Sequence, residues 1–146
     1  MASRDLHNSI DVKRGLSPVA AVTNLNTPFV SQIVDTAGFE SCEFIILIGN
    51  NTDADATFAV LFEDGDAANL SDNAAVDDAF LLGTEAIASF TAANDDNKVR
   101  KIGYVGPKRY CRVTITPSGN NAGDAFVAGV WLLGHPHSKP TANPPT

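Results

Sequence analysis

Two stretches of the chain are apolar at almost every position. Cys42 to Ile48 reads CEFIILI, and Ala125 to Leu133 reads AFVAGVWLL. Both have strand length, and a strand without polar alternation suits the middle of a sheet that is covered on both faces. Other stretches alternate. In Ala56 to Glu63, the residues Phe58, Val60 and Phe62 share one side, opposite Thr57, Ala59, Leu61 and Glu63. In Tyr110 to Thr116, the inward set is Cys111, Val113 and Ile115, with Arg112, Thr114 and Thr116 outward. Val99 to Val105 adds another strand, and Phe29 to Val34 a short one. Ala79 to Gly83 fits a short strand. Thr84 to Asn94 fits a helical turn and a strand equally well.

Turn chemistry separates these runs. NNTDAD (50–55) is expected to close a hairpin between Cys42–Ile48 and Ala56–Glu63. Gly106 to Arg109 joins Val99–Val105 tightly to Tyr110–Thr116, and PSGNNAGD (117–124) forms a third hairpin loop. Short strands at intervals of roughly ten residues predict an all-β fold. The expectation is one antiparallel β-sandwich or barrel-like (jelly-roll-like) domain over residues 29–134. Its core is expected to hold Phe44, Ile46, Ile48, Phe58, Val60, Phe62, Val113, Ile115, Val130 and Leu132, with Trp131 also inside. Residues 1–28, polar and broken by Pro18 and Pro28, read as an N-terminal arm. Residues 135–146 hold four prolines and read as an extended C-terminal tail. Removing residues 1–16 should then leave the domain folded.

A chain of 146 residues is enough for one domain with one core. Charge changes the picture more than size does. The net charge is −7, which argues against a nucleic-acid backbone as the main partner. The charges are also segregated. No Lys or Arg lies between Gly15 and Asn97, a stretch with fourteen Asp and Glu, whereas Lys98 to Arg112 holds six of the ten basic residues. The basic block is either a solvated strand face or a contact for an acidic surface, such as the Asp64–Asp78 loop of a neighbouring copy. No apolar run approaches the ~20 residues that span a bilayer. The N-terminal stretch has no apolar h-region, so synthesis in a cytoplasm and no membrane partner are expected. Cys42 and Cys111 each sit in a strand; reduced, buried thiols are expected, and a disulfide between them stays open.

Candidate chemistry is sparse. His135 and His137 offer two imidazoles, too few for a metal site. Asp53, Asp55 and the run Glu63-Asp64-Gly65-Asp66 lack the EF-hand order. Gly103 to Lys108 lacks P-loop spacing, and there is no G-x-S-x-G elbow. No catalytic residue, cofactor or metal is expected.

Three segments carry a family likeness: SIDVKRGL (Ser9–Leu16), KVRKIGYVGPKRYCRVTITPSG (Lys98–Gly119) and GVWLLGHPHSKP (Gly129–Pro140). With them the chain resembles small structural proteins that tailed bacteriophages encode among their virion-assembly genes. The resemblance implies a capsid decoration or cement protein on the virion head surface, with the major capsid protein as partner and a homotrimer as the assembly. A head–tail connector or tail role stays open, as does a carbohydrate-binding module or an enzyme using the acidic loops. On this reading the interface residues are Arg4, Lys13, Arg14, Arg100, Lys101, Lys108, Arg109, Arg112, His135 and His137.

Overall fold

The computed structural model describes residues 4–145, so residues 1–3 and 146 of the expected arms lie outside it. Thirteen strands follow in order: β1 (Ile10–Leu16), β2 (Val22–Thr23), β3 (Phe29–Val30), β4 (Val34–Asp35), β5 (Phe39–Ile48), β6 (Thr57–Gly65), β7 (Ala74–Ala75), β8 (Leu81–Leu82), β9 (Phe90–Thr91), β10 (Val99–Tyr104), β11 (Tyr110–Ser118), β12 (Asp124–Ala125) and β13 (Val127–Pro136). Two single-turn helices, α1 (Glu85–Ala88) and α2 (Ala92–Asp95), flank β9. The segment that fitted both helix and strand therefore contains both. Thr84 starts α1 as an N-cap, its Oγ1 accepting from the Ile87 amide at 3.1 Å.

The strands form an antiparallel β-sandwich. One sheet runs β1-β13-β5-β10-β8. The other runs β3-β11-β6-β7, with β4 also on β11 and β9 also on β6. Consecutive long strands alternate between the two: β5, β10 and β13 belong to the first, β6 and β11 to the second. The expected hairpins are thus absent. The loops at 49–56, 105–109 and 119–123 each cross from one sheet to the other. The inward side chains of successive strands meet across the core, about 10 Å from sheet to sheet, rather than side by side.

The core is aromatic at its centre. Phe44 of β5 lies 4.6 Å from Trp131 of β13, ring centre to ring centre, and Phe62 of β6 meets Trp131 edge-on at 5.6 Å. Such tilted and edge pairs favour the ring quadrupoles. The Trp131 indole N–H donates to the Gln32 carbonyl at 3.0 Å, so burying it leaves no orphan donor. Gly15 and Gly129 flank the Phe44 ring: a Cβ on either would sit 2.5 Å from a ring carbon. The expected core is buried as read, with two exceptions. Val130 and Leu132 point outward, and the inward residues of β13 are Val127, Gly129, Trp131 and Leu133. With both faces of that strand apolar, hydropathy alone did not fix its phase.

The N-terminal segment differs from a free arm. β1 is the edge strand of the first sheet, paired with β13 from Ile10↔Gly134 to Leu16↔Gly129. It escaped the pattern because its inward side is polar. Asp11 and Lys13 face the core edge and pair at 2.8 Å, while Ile10 and Val12 point out. Residues 22–26 are tied down by buried Asn120, whose side-chain amide donates to the carbonyls of Val22 and Leu25, both at 2.9 Å. Deleting residues 1–16 would therefore remove a sheet edge, not a tail. The C-terminal segment also folds back. β13 runs to Pro136. Beyond it, the Thr141 hydroxyl donates to the Ile10 carbonyl at 2.5 Å, and the Lys139 ammonium donates to Ser9 Oγ at 3.0 Å.

Candidate docking face

The ten basic and histidine positions do not gather on one surface. Arg112 points out from the second sheet, where its guanidinium donates twice to Glu63, both at 3.0 Å. Lys101 points out from the first sheet, on the opposite side of the sandwich, 3.9 Å from Glu43. Arg100 turns to Asp95 of α2, which Lys98 also approaches at 3.6 Å. Lys108 pairs with Asp66, and Arg109 donates twice to Asp35 at 2.8 and 2.7 Å. The segregated charges thus pair within the chain: the basic block meets acids drawn from the acid-rich stretch. Lys13 sits on Asp11, and Arg14 and Arg4 are exposed. His135 Nδ1 lies 2.6 Å from Ser41 Oγ, and His137 Nε2 lies 3.7 Å from Glu40.

The loop acids are similarly occupied. Burial pushes the Glu63 carboxyl up, but Arg112, Thr114 and Asn73 outweigh it and hold Glu63 below its ordinary value. Asp64 accepts from the Tyr104 hydroxyl at 2.7 Å, and Asp53 accepts from the amides of Asn121 and Ala122 at 2.8 and 2.7 Å. Among the described residues no group of three or more His, Cys, Asp or Glu is placed to hold a metal ion. The two thiols are buried and unbonded, and the Cys111 thiol is pushed up by its contact with Cys42 and by burial.

The outstanding surface is one on which only Arg14 and Lys101 of the basic residues stand. Strand register lays the outward side chains of the first sheet in rows. One row runs Val12, Leu132, Glu43, Gly103, Leu82; the next runs Arg14, Val130, Ile45, Lys101; a third runs Ala128, Leu47, Val99. Most of these residues are aliphatic. Leu47, Leu82 and Val99 are 46, 55 and 56 % exposed, and Val105, just after β10, and Ile87 of α1 extend the patch. A shallow depression of about 430 Å³ opens on it, lined in part by Ile10, Ile45, Leu82, Val105 and Leu132. The outward face of the second sheet is different in kind: Thr57, Ala59, Leu61 and Glu63 lie against Ser118, Thr116, Thr114 and Arg112. Val30 and Leu61 stand among these polar residues, so the second sheet's outward face is the more polar of the two.

A single ion pair interrupts the apolar face. Burial raises the Glu43 carboxyl above its ordinary value, and Lys101 only partly offsets this. The Glu43 carboxylate leans over Gly103, where a Cβ would come within 2.7 Å of Oε2.

The sequence did carry a signal for this face. Cys42–Ile48 and Ala125–Leu133 are apolar on both sides and read as strands covered twice. A two-layer sandwich covers them once. The second cover is not supplied by any of the described residues.

No family model matches the chain, and no curated protein matches it in sequence. Among solved structures, the PBSX exported protein XepA shares the fold: TM-score 0.51, 12% identity, over 97% of this chain and 42% of XepA. The chain thus spans less than half of XepA's length. Looser likenesses run to the CBM22-1–GH10 modules of Clostridium thermocellum xylanase 10B (TM-score 0.42, 12% identity, 94% of this chain and 28% of that one) and to the xylan-binding module CBM15 (TM-score 0.41, 12% identity, 92% and 96%). The first likeness is one of β-sandwich architecture.

Proposed function

We propose that the protein is a non-enzymatic structural component that works by protein–protein contact, as a decoration or cement protein of a phage head shell. The observation that carries the assembly part of this reading is the open aliphatic face of the five-stranded sheet. Contiguous exposed apolar area of this kind marks an interaction site. Its Ile, Leu and Val side chains pack well against another protein. They lack the flat aromatic face on which a sugar ring stacks, which weighs against a carbohydrate-binding role for this surface. What supports the shell as the destination is the resemblance of Ser9–Leu16, Lys98–Gly119 and Gly129–Pro140 to phage structural proteins.

The test is co-sedimentation of the purified chain with undecorated phage heads, beside a glycan array that includes xylan. Saturable binding to heads, with no glycan retained, is the expected result. A specific glycan hit with no binding to heads would replace this reading by a carbohydrate-binding one.

A further inference from the structure

We infer that the open face of the five-stranded sheet is a two-fold self-association surface, and that its occupant is the same face of a second copy. This does not depend on the shell reading.

Three observations converge. β1 is built inside out, with its charged pair turned to the core edge and Ile10 and Val12 turned out. An edge strand facing only water gains nothing from that inversion; one lying under a third layer does. Second, β13 is apolar on both sides, and so is β5 from Phe44 to Ile48, a pattern suited to two covers. Third, the charges on the face complement themselves. Glu43 and Lys101 sit on adjacent strands in adjacent rows.

A two-fold axis in the plane of the face, running across the strands between those rows, stacks each strand on its own copy. It places Lys101 of one copy over the partner's Gly103, beside the partner's Glu43, and does the reverse at the other end. Gly103 has no side chain to obstruct the approach. An isologous interface demands this self-complementarity: a contact made once is made twice. Leu132 then lies over the partner's Val130. Arg14, on the outermost strand, reaches solvent at the rim, leaving its stem on the apolar surface. Aligned sheets pack face to face in this way at about 10 Å.

Four full strands at about 4.8 Å spacing, each with about seven residues at about 3.3 Å, give a footprint of about 440 Å². Side-chain relief, β8, Val105 and Ile87 raise its accessible area toward the ~800 Å² per partner of a standard interface.

The experiment is sedimentation equilibrium of the full chain and four variants over a wide concentration range, with circular dichroism to confirm the fold. The native chain is expected at twice 15.3 kDa. Glu43→Lys and Lys101→Glu each set like charges against one another across the axis and should weaken the dimer by more than about tenfold. The double exchange Glu43→Lys/Lys101→Glu should restore it. Thr114→Arg, on the opposite face, controls for added charge and should leave the dimer intact. Three outcomes would overturn the inference: a native chain that stays monomeric, a trimeric mass, or single exchanges that leave the dimer unchanged. A monomer that binds phage heads and loses that binding with Leu47→Glu would give the face to the shell instead.

Discussion

Phe44 shows how much one ring can demand of its surroundings. It fills the space between the sheets only because β1 and β13 carry glycine beside it. A Cβ at Gly129 would lie 2.5 Å from the ring's Cζ and 3.3 Å from the Ile45 carbonyl. Neither neighbour can retreat, since the ring is fixed against Trp131 and the carbonyl belongs to the strand. Gly129→Ala is therefore expected to cost about 1–3 kcal/mol, the usual range for overpacking a tight core, read as a lowered thermal midpoint. Gly134→Ala, on the same strand but 3.5 Å from its only near neighbour, Ser41 Cβ, should be almost neutral. The sequence showed both glycines but not which of them touches a ring. That depends on Trp131, Phe44 and Gly129 sharing one side of their strands, and β13 is equally apolar on both.

At the scale of elements, what could be read depended on whether an inward face differs chemically from an outward one. β6 and β11 alternate cleanly, and their buried residues were identified correctly: Phe58, Val60, Phe62, Cys111, Val113 and Ile115. β1 turns Asp11 and Lys13 inward and Ile10 and Val12 outward, so alternation of hydropathy reads it as an arm. Connections were the harder problem. A turn sequence announces a reversal of direction, and it reads the same whether the chain returns in its own sheet or in the facing one. The cross-strand pair Glu63–Arg112 links β6 to β11 and lends their pairing a pH dependence. Arg112, Thr114 and Asn73 hold the Glu63 carboxyl below its ordinary value despite burial. The stabilisation is thus complete above the unfolded-state value near about 4.3 and is lost as pH falls through the lower folded one. Glu63→Gln should lower stability at neutral pH by about 1–3 kcal/mol and make the loss below about pH 4.3 shallower. Urea titrations at pH 7, 5, 4 and 3 check both effects. An equal acid slope in the two proteins would show that Glu63 is not the group responsible.

For the whole molecule, the two outer surfaces divide the labour. The second sheet presents Thr and Arg side chains beside Val30 and Leu61, with the Glu63–Arg112 ion pair closed inside the chain. The first presents Ile, Leu and Val around one ion pair. The candidate interface drawn from sequence was electrostatic because charge segregation along a chain is easy to see. Folding pairs the basic block with nearby acids, and the apolar face of the first sheet is left open. Its trace in the sequence was the pair of strands without polar alternation, which were read as more core. The most direct test of this division is side-chain footprinting by hydroxyl radicals, on the dilute chain and on the assembled protein. Assembly should protect Ile45, Leu47, Val99, Val130 and Leu132 and leave Leu61, Thr114 and Thr116 unchanged. Protection of Leu61 and Thr114, with Leu47 and Val99 still oxidised at the dilute rate, would contradict it.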